Sequence, residues 1–396
     1  MLFQKKPKYI LKHKNTDVLT GEFDHKGHQF RRVLEVMDER HLPCGVTSGK
    51  KCLATLNNWF LGRAIPDYRV DLKRLQKRLD FEDPAELLEE EYALSVSDHY
   101  WLVPEDEDLT YEEVNFYTRK FDQYGFAHSM FRSNDFYPSE SARLTPNNTT
   151  GGYHRKCWVY HNGVLSLYKG SVGFYQQECI NEWLASFIAE RLGFYFVPYD
   201  VYTYEGQLVS VCPNFLNFSF ELFTAGQVIS TLGPGTEETF DNLLKALELN
   251  GLLDERRSLD EILILDYLMM NTDRHSQNIG ILADADTNRW VGLAPVFDTG
   301  TGLGCFARTS ELEEIESYKN GRFLEERNFG FEHLLERVQD LQRFDLSALD
   351  GVEDTFADVL ANYRSTTGIP DGRIAALREL LSRRIEKLKQ AQMRVL

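Results

Sequence analysis

The chain has 396 residues, 42% of them hydrophobic and 13% aromatic, which is enough for two or three domains with proper cores. A formal net charge of −17 excludes a general nucleic-acid surface, because phosphate binding needs a concentrated basic face. Six cysteines lie far apart with no Cys-x-x-Cys pair, which excludes a zinc knuckle or a dense disulfide framework and suits a reducing compartment.

The first residues, MLFQKKPKYILKHKN, carry charge but no apolar core, so no secretory leader is read there. No apolar run approaches the ~18–20 residues that a membrane span needs. A cytoplasmic protein without a membrane partner is expected. Residues 1–133 are read as an accessory region of mixed α/β character. Within it, VDLKRLQKRL (70–79) and PAELLEEEYAL (84–94) have the spacing of amphipathic helices, with Pro84 suited to a first turn. The acidic runs at 87–92 and 104–113 are read as solvated surface, and His99 and Trp101 as packing or surface-recognition residues.

Residues 134–150, NDFYPSESARLTPNNTT, hold two prolines and three asparagines and are read as a linker leading into Thr150, Gly151 and Gly152. Exposed amides at that turn could cradle phosphate. Beyond it, HRKCWVYHNGVLSLYKG (154–170) predicts a hairpin around Asn162-Gly163, since a type I′ turn needs φ > 0 at both central residues. A helix is predicted over 176–192, then two strands around Glu205-Gly206, the second reaching Cys212 at an adenine-facing hinge. From about residue 237 helices dominate, at 239–250 and 258–271, apart from one hairpin at 279–297. A strand-rich part (151–222) followed by a helical part (223–396) predicts an α+β fold of two lobes.

The chemistry concentrates in NTDRHSQNIGILADADTNRWVGLAPVFDTGTG, residues 271–302. A hairpin centred near residue 286 would set 294 opposite 278 and 298 opposite 274, gathering Asp273, Asn278 and Asp298 at its open end. Phosphoryl transfer asks a protein for positioning and charge neutralisation more than covalent work. Mg²⁺ prefers oxygen ligands, which Asn278 and Asp298 supply, while Asp273 can serve as the base that orients a hydroxyl. An Asp-x-x-x-x-Asn spacing followed by an Asp at the next strand end is that of kinase catalytic loops. His275 is read mainly as ordering the loop, with a minor catalytic role in stabilising transferred charge, and Arg274 as pairing with a nearby acid. Lys169, ending an apolar strand, is a candidate phosphate ligand, and Glu178 or Glu182 on the following helix could fix it. An aspartic protease needs two carboxylates sharing one proton, and no second Asp-Thr-Gly matches the one at 298–300.

These residues resemble a known family. Asp273-Arg274-His275-x-x-Asn278 resembles the catalytic loop of phosphatidylinositol kinases. Asn271-Thr272-Asp273-x-His275-x-x-Asn278 followed by Leu293-Ala294-Pro295-x-x-Asp298 more closely resembles the bacterial HipA-like serine/threonine kinases. The likeness covers roughly 145–310 well and the helical C-terminus more loosely. It implies a protein-kinase-like fold, ATP and Mg²⁺ as cofactors, a protein substrate, and an antitoxin-type partner, since many members are toxins of toxin–antitoxin pairs. Asn181-Glu182, followed by the Leu192-Gly193 helix end, also fits the family and makes Glu182 the lysine partner. A regulatory serine known in the family has only Ser139, Ser141, Thr145, Thr149 and Thr150 as candidates here. A lipid kinase and a non-catalytic nucleotide-binding module stand as alternatives.

Overall fold

The computed structural model describes residues 8–118, 131, 145–233 and 235–394. Most of the expected linker, with Ser139 and Ser141, lies outside the described residues. The chain divides into two compact units. The first takes residues 1–165, 214–223 and 282–290, and the second takes 166–213, 224–281 and 291–396.

The first unit is built on an antiparallel sheet of β1 (Lys8–His13), β2 (Thr16–Asp24), β3 (Gln29–Val36) and, later in the chain, β4 (Tyr100–Pro104), in the order β3-β2-β1-β4. Alternating apolar residues turn one face inward, where Leu11, Leu19, Phe23, Phe30 and Leu102 are buried. Helix α1 (Cys52–Leu61) lays Leu56 and Phe60 on that face, and Phe60 meets Phe23 edge-on with ring centroids 5.5 Å apart. Helices α2 (Leu72–Leu79) and α3 (Pro84–Glu90) match the expected amphipathic segments, with Pro84 in the first turn. Asp83 caps α3 through Ala85 N at 2.9 Å, and Glu86 completes a capping box.

Helix α3 stops at Glu90 rather than Leu94, because Tyr92 and Ala93 take left-handed backbone with φ 54° and 55°. That turn carries Glu91 inward, so the acidic run at 87–92 is not wholly solvated. Glu91 is fully buried and accepts from Thr145 N and, at 2.9 Å, from Asn148 Nδ2. His99 and Trp101 are both buried, as expected of packing residues. His99 donates its backbone N–H to Glu221 Oε1 at 2.7 Å, and Trp101 Nε1 donates to Lys14 O at 2.6 Å. Strand β5 (Lys156–His161) leads into the Asn162-Gly163 turn, whose φ values of 50° and 83° are those of the expected type I′ form.

In the second unit, β6 (Val164–Gly170) is followed by α4 (Gln177–Leu192), β7 (Asp200–Tyr204) and β8 (Gln207–Pro213). Strands β6, β8 and β7 pair antiparallel in that order, with Lys169 opposite Ser210 and Leu167 opposite Cys212. Glu205 and Gly206, at φ 49° and 76°, close the second tight turn. Next in the chain, β9 (Phe220–Thr224) belongs to the first unit as far as Phe223, and α5 (Ala225–Ser230), α6 (Phe240–Leu249) and α7 (Arg256–Met269) belong to the second. Hairpins β10 (Gly280–Asp284) with β11 (Trp290–Leu293), and β12 (Gly321–Phe323) with β13 (Glu326–Phe329), precede α8 (Val352–Asn362) and α9 (Asp371–Arg394). Helix α7 is buried around its whole circumference from Leu259 to Met269, which marks it as the core helix of this unit. Helix α9 supplies the buried Leu377, Leu380, Leu381 and Leu388. Among the described residues no helix is long and apolar enough to cross a membrane, and the six cysteines are unpaired.

Candidate active site

The site begins where α7 ends. Met270 turns left-handed at φ 49° and stops the helix, and Asn271 folds back to donate from Nδ2 to Asp266 Oδ1 at 2.8 Å. Asn271 Oδ1 in turn accepts from Asp273 N at 3.1 Å. Arg274 is fully buried in the loop that follows. Its Nε and Nη2 donate to the two oxygens of Asp266, both at 2.8 Å. Its Nη1 reaches Asn278 O at 2.7 Å and Phe297 O at 2.8 Å, and Nη2 also reaches Thr299 Oγ1 at 2.8 Å. Burial opposes the charge on Arg274, but Asp266 more than offsets this and holds its pKa above the ordinary value. One guanidinium therefore ties the 273–278 loop to both residues that flank Asp298.

The sequence placed these groups at one hairpin end, but in a slightly different register. Ala294 N donates to Gly280 O at 2.8 Å, so residue 294 faces 280 rather than 278. The shift comes from the turn: Asp284 Oδ1 accepts from Asp286 N, Thr287 N and Thr287 Oγ1, and Asp284 N donates to Arg289 O. Asn278 Nδ2 donates to Asp273 O at 3.0 Å, leaving its carbonyl oxygen as the group that can take a cation. His275 Nδ1 accepts from Gln277 N at 3.2 Å, ordering the loop from within. Its Nε2 stands 3.8 Å from Asp273 Oδ2, and burial lowers its pKa although both Asp273 and Asp298 pull the other way.

Lys169, Glu182 and Asp298 form a second cluster. Lys169 and Glu182 are buried, and the ammonium is paired with both Glu182 Oε1 and Asp298 Oδ1. Burial disfavours this charge, yet the two carboxylates raise the pKa above the usual lysine range. Ser210 Oγ donates to the other oxygen of Glu182. Glu178, the alternative lysine partner, instead accepts from Val172 N at 3.0 Å and Gly173 N at 2.6 Å. Asp298 sits at φ 54°, uncommon for a residue with a side chain, and its N–H donates to Tyr199 Oη at 3.3 Å.

The Asp-Thr-Gly stretch is held from both sides. Asn181 Nδ2, on α4, donates to Gly300 O at 2.9 Å and Gly302 O at 2.8 Å. A Cβ on Gly300 would lie 2.8 Å from Glu178 O and from Glu182 Cγ, and one on Gly302 would overlap Met269 O. Both positions therefore need glycine for close approach. Arg373 on α9 adds bonds to Gln177 Oε1, Gly304 O and Ala307 O, each at 2.7–2.8 Å.

Cys212 lies on β8 with its thiol buried, which pushes its pKa up to about 12. Thr150, Gly151 and Gly152 belong to the first unit. There Thr150 Oγ1 donates to Pro146 O at 2.9 Å, and Gly152, at φ 93°, would set a Cβ 2.5 Å from Lys156 Nζ. Sequence reasoning missed Asp266, Tyr199, Arg373 and Arg322. Asp266 had a signal, being the lone charge in ILILDYLMM. Arg322 had none, yet its Nη1 donates to Asp273 Oδ1 at 3.2 Å.

The donors that could hold a metal are Asn278 Oδ1 and the Asp298 carboxylate, both hard oxygens suited to a hard cation. Among the described residues no group of three or more His, Cys, Asp or Glu could hold a metal by itself. A site of this kind needs oxygens from a bound ligand, as magnesium sites on phosphates do.

No protein-family model matches the chain. Over 137 residues it is 26% identical to the serine/threonine-protein kinase CtkA of Helicobacter pylori strain J99, covering 33% of this chain. The match spans 42% of that relative's length, less than half of it. The crystal structure of the H. pylori proinflammatory kinase CtkA aligns at TM-score 0.46 and 19% identity, over 60% of this chain and 93% of that one. HipA from the Shewanella oneidensis MR-1 toxin–antitoxin system, solved with HipB and operator DNA, aligns at TM-score 0.57 and 13% identity. That alignment covers 97% of this chain and 99% of HipA, so the two share a fold. The partial sequence homology to the kinase CtkA and the fold held in common with HipA support the resemblance to HipA-like serine/threonine kinases read from the sequence.

Proposed function

We propose that this chain is an ATP- and Mg²⁺-dependent kinase that transfers the γ-phosphoryl group to a serine or threonine hydroxyl of a protein. The observation that carries the reading is the set of bonds from Arg274 to Asn278 O, Phe297 O and Thr299 Oγ1, which draws the 273–278 loop and Asp298 together. In this reading Asp273 accepts the hydrogen bond of the acceptor hydroxyl and takes its proton. The new oxygen–phosphorus bond forms as the bond from γ-phosphorus to the bridging oxygen breaks, and ADP leaves with that electron pair. Lys169, kept charged by Glu182 and Asp298, offers its remaining N–H to phosphate oxygens. Asn278 and Asp298 would hold Mg²⁺, which supplies charge neutralisation on the triphosphate when bound.

We read 151–222 as the N-lobe, 223–396 as the C-lobe, 134–150 as a linker and 1–133 as an accessory region. Thr150–Gly152 would cradle phosphate through backbone amides, and the Cys212 backbone would face adenine. An antitoxin-type protein is the partner to look for, because the HipA of like fold was solved with HipB. The test is purified chain with γ-³²P-ATP and Mg²⁺, scored for label in the chain, in added protein and in lipid vesicles. Label in protein supports the reading. Label in vesicles alone makes it a lipid kinase, and ATP bound but never consumed makes it a binding module.

A further inference from the structure

We infer that Arg322, carried on the β12–β13 hairpin, is the positioning residue of Asp273, selecting which carboxylate oxygen faces the acceptor hydroxyl. The inference rests on the kinase reading above.

The hairpin is stitched to the loop it would serve. Leu324 N donates to Arg274 O at 2.7 Å, and Phe323 forms a parallel bridge with Arg274. Phe323 is buried with its ring 5.8 Å from that of Phe240, and Glu325 N donates to Glu238 O at 3.0 Å. Arg322 thus leaves a backbone anchored on both sides. Its own side chain is braced by Nε donating back to Leu324 O at 3.3 Å, which orients the guanidinium plane before it meets the carboxylate.

Asp273 needs such a brace. Its side chain is 41% exposed, so packing does not fix its rotamer. Its two oxygens meet different neighbours: Oδ1 takes Arg322 Nη1 at 3.2 Å, while Oδ2 lies 3.8 Å from His275 Nε2, beyond hydrogen-bond range. Arg322 is thus the cation within hydrogen-bond range of this carboxylate, and His275 is not. Oδ1 is thereby occupied and Oδ2 is left for a hydroxyl. A one-ångström misplacement in such a constellation costs about 100-fold in rate.

The experiment compares the full chain with Arg322→Ala and Arg322→Lys in Mg-ATP turnover, ³²P incorporation into the chain, fluorescent ATP binding and melting temperature. For Arg322→Ala we expect turnover to fall roughly 30-fold while nucleotide affinity stays within about twofold, since the contact acts on orientation and not on nucleotide binding. Arg322→Lys should recover part of the loss, because it restores charge without the fork. Unchanged turnover in Arg322→Ala overturns the inference and leaves the kinase reading intact. Equal losses of turnover, nucleotide affinity and melting temperature also overturn it, making Arg322 a structural prop. A wild-type chain that neither binds nor consumes Mg-ATP sinks the kinase reading, and this inference with it.

Discussion

Arg274 and Asp266 meet side-on, Nε and Nη2 each 2.8 Å from a carboxylate oxygen, with neither side chain exposed. Removing one partner of such a buried pair leaves an uncompensated charge and costs about 3–5 kcal/mol. Asp266→Asn keeps the shape but loses the charge. We predict a melting temperature lowered by roughly 6 °C or more, together with loss of turnover as the 273–278 loop loosens. Calorimetry checks it, and a shift below about 1 °C would refute the assigned role.

Asp273 and Asp298 should separate binding from transfer. Asp273→Ala is expected to abolish phosphoryl transfer while nucleotide still binds. Asp298→Ala should abolish Mg-nucleotide binding itself, because it removes a proposed metal ligand and one partner of Lys169. Lys169→Ala should leave weaker binding and turnover reduced by roughly 100-fold, since it removes the proposed phosphate-positioning group. Titration calorimetry with Mg-ATP beside a labelled-phosphate assay reads both. Intact Mg-ATP affinity in Asp298→Ala would contradict the proposed ligand set.

Two buried glutamates in the first unit predict opposite pH trends. Burial raises the pKa of Glu91 well above the usual carboxylate range, against the pull of Thr145 and Asn148, and its Oε2 has no hydrogen-bond partner among the described residues. A raised folded pKa contributes stability that is complete below the unfolded value of about 4.5 and is lost as pH climbs through the folded value. Glu91→Gln should therefore gain on the wild type as pH rises from 5 to 8, by up to about 1.4 kcal/mol per pH unit. Glu221 behaves in reverse. Burial opposes its charge, but the hydrogen bonds from His13 and His99 prevail and lower its pKa to about 2, so its contribution is present above about 4.5 and fades as pH falls toward 2. Urea unfolding of Glu91→Gln and Glu221→Gln across that range checks both slopes, and parallel curves for the two variants would contradict them.

Gly302→Ala should damage the chain more than its single methyl suggests. The added carbon would overlap the Met269 carbonyl, a backbone atom that cannot step aside. Gly151→Ala, which meets open space, serves as the control. We expect poor folding or a loss of about 1–3 kcal/mol for the first and little change for the second, read by thermal melts.

Much of the fold was legible because its signals were local. Asn162-Gly163 and Glu205-Gly206 declared their turns through the need for positive φ, and α4 and α7 declared themselves by apolar spacing. The end of α3 was hidden, since Tyr92 and Ala93 are not residue types that announce left-handed backbone. Within the site, Asp273, Asn278 and Asp298 could be read from spacing, but the two-residue slip in their hairpin could not. It depends on one side chain, Asp284, closing the turn. Arg322 meets Asp273 across 49 residues of sequence, a contact that only tertiary packing creates.

Arg373 gives the C-terminal helix a place in the order of synthesis. The carbonyls of Gly304 and Ala307 and the amide of Gln177 receive their shared donor only after residue 373 has been made. On the ribosome, α4 and the Asp298 segment have the Asn181 bonds between them but not those of Arg373 while some seventy further residues are added after Gly304. A nascent chain of this protein therefore carries every residue of its proposed chemistry well before Arg373 can add its bonds to hold them.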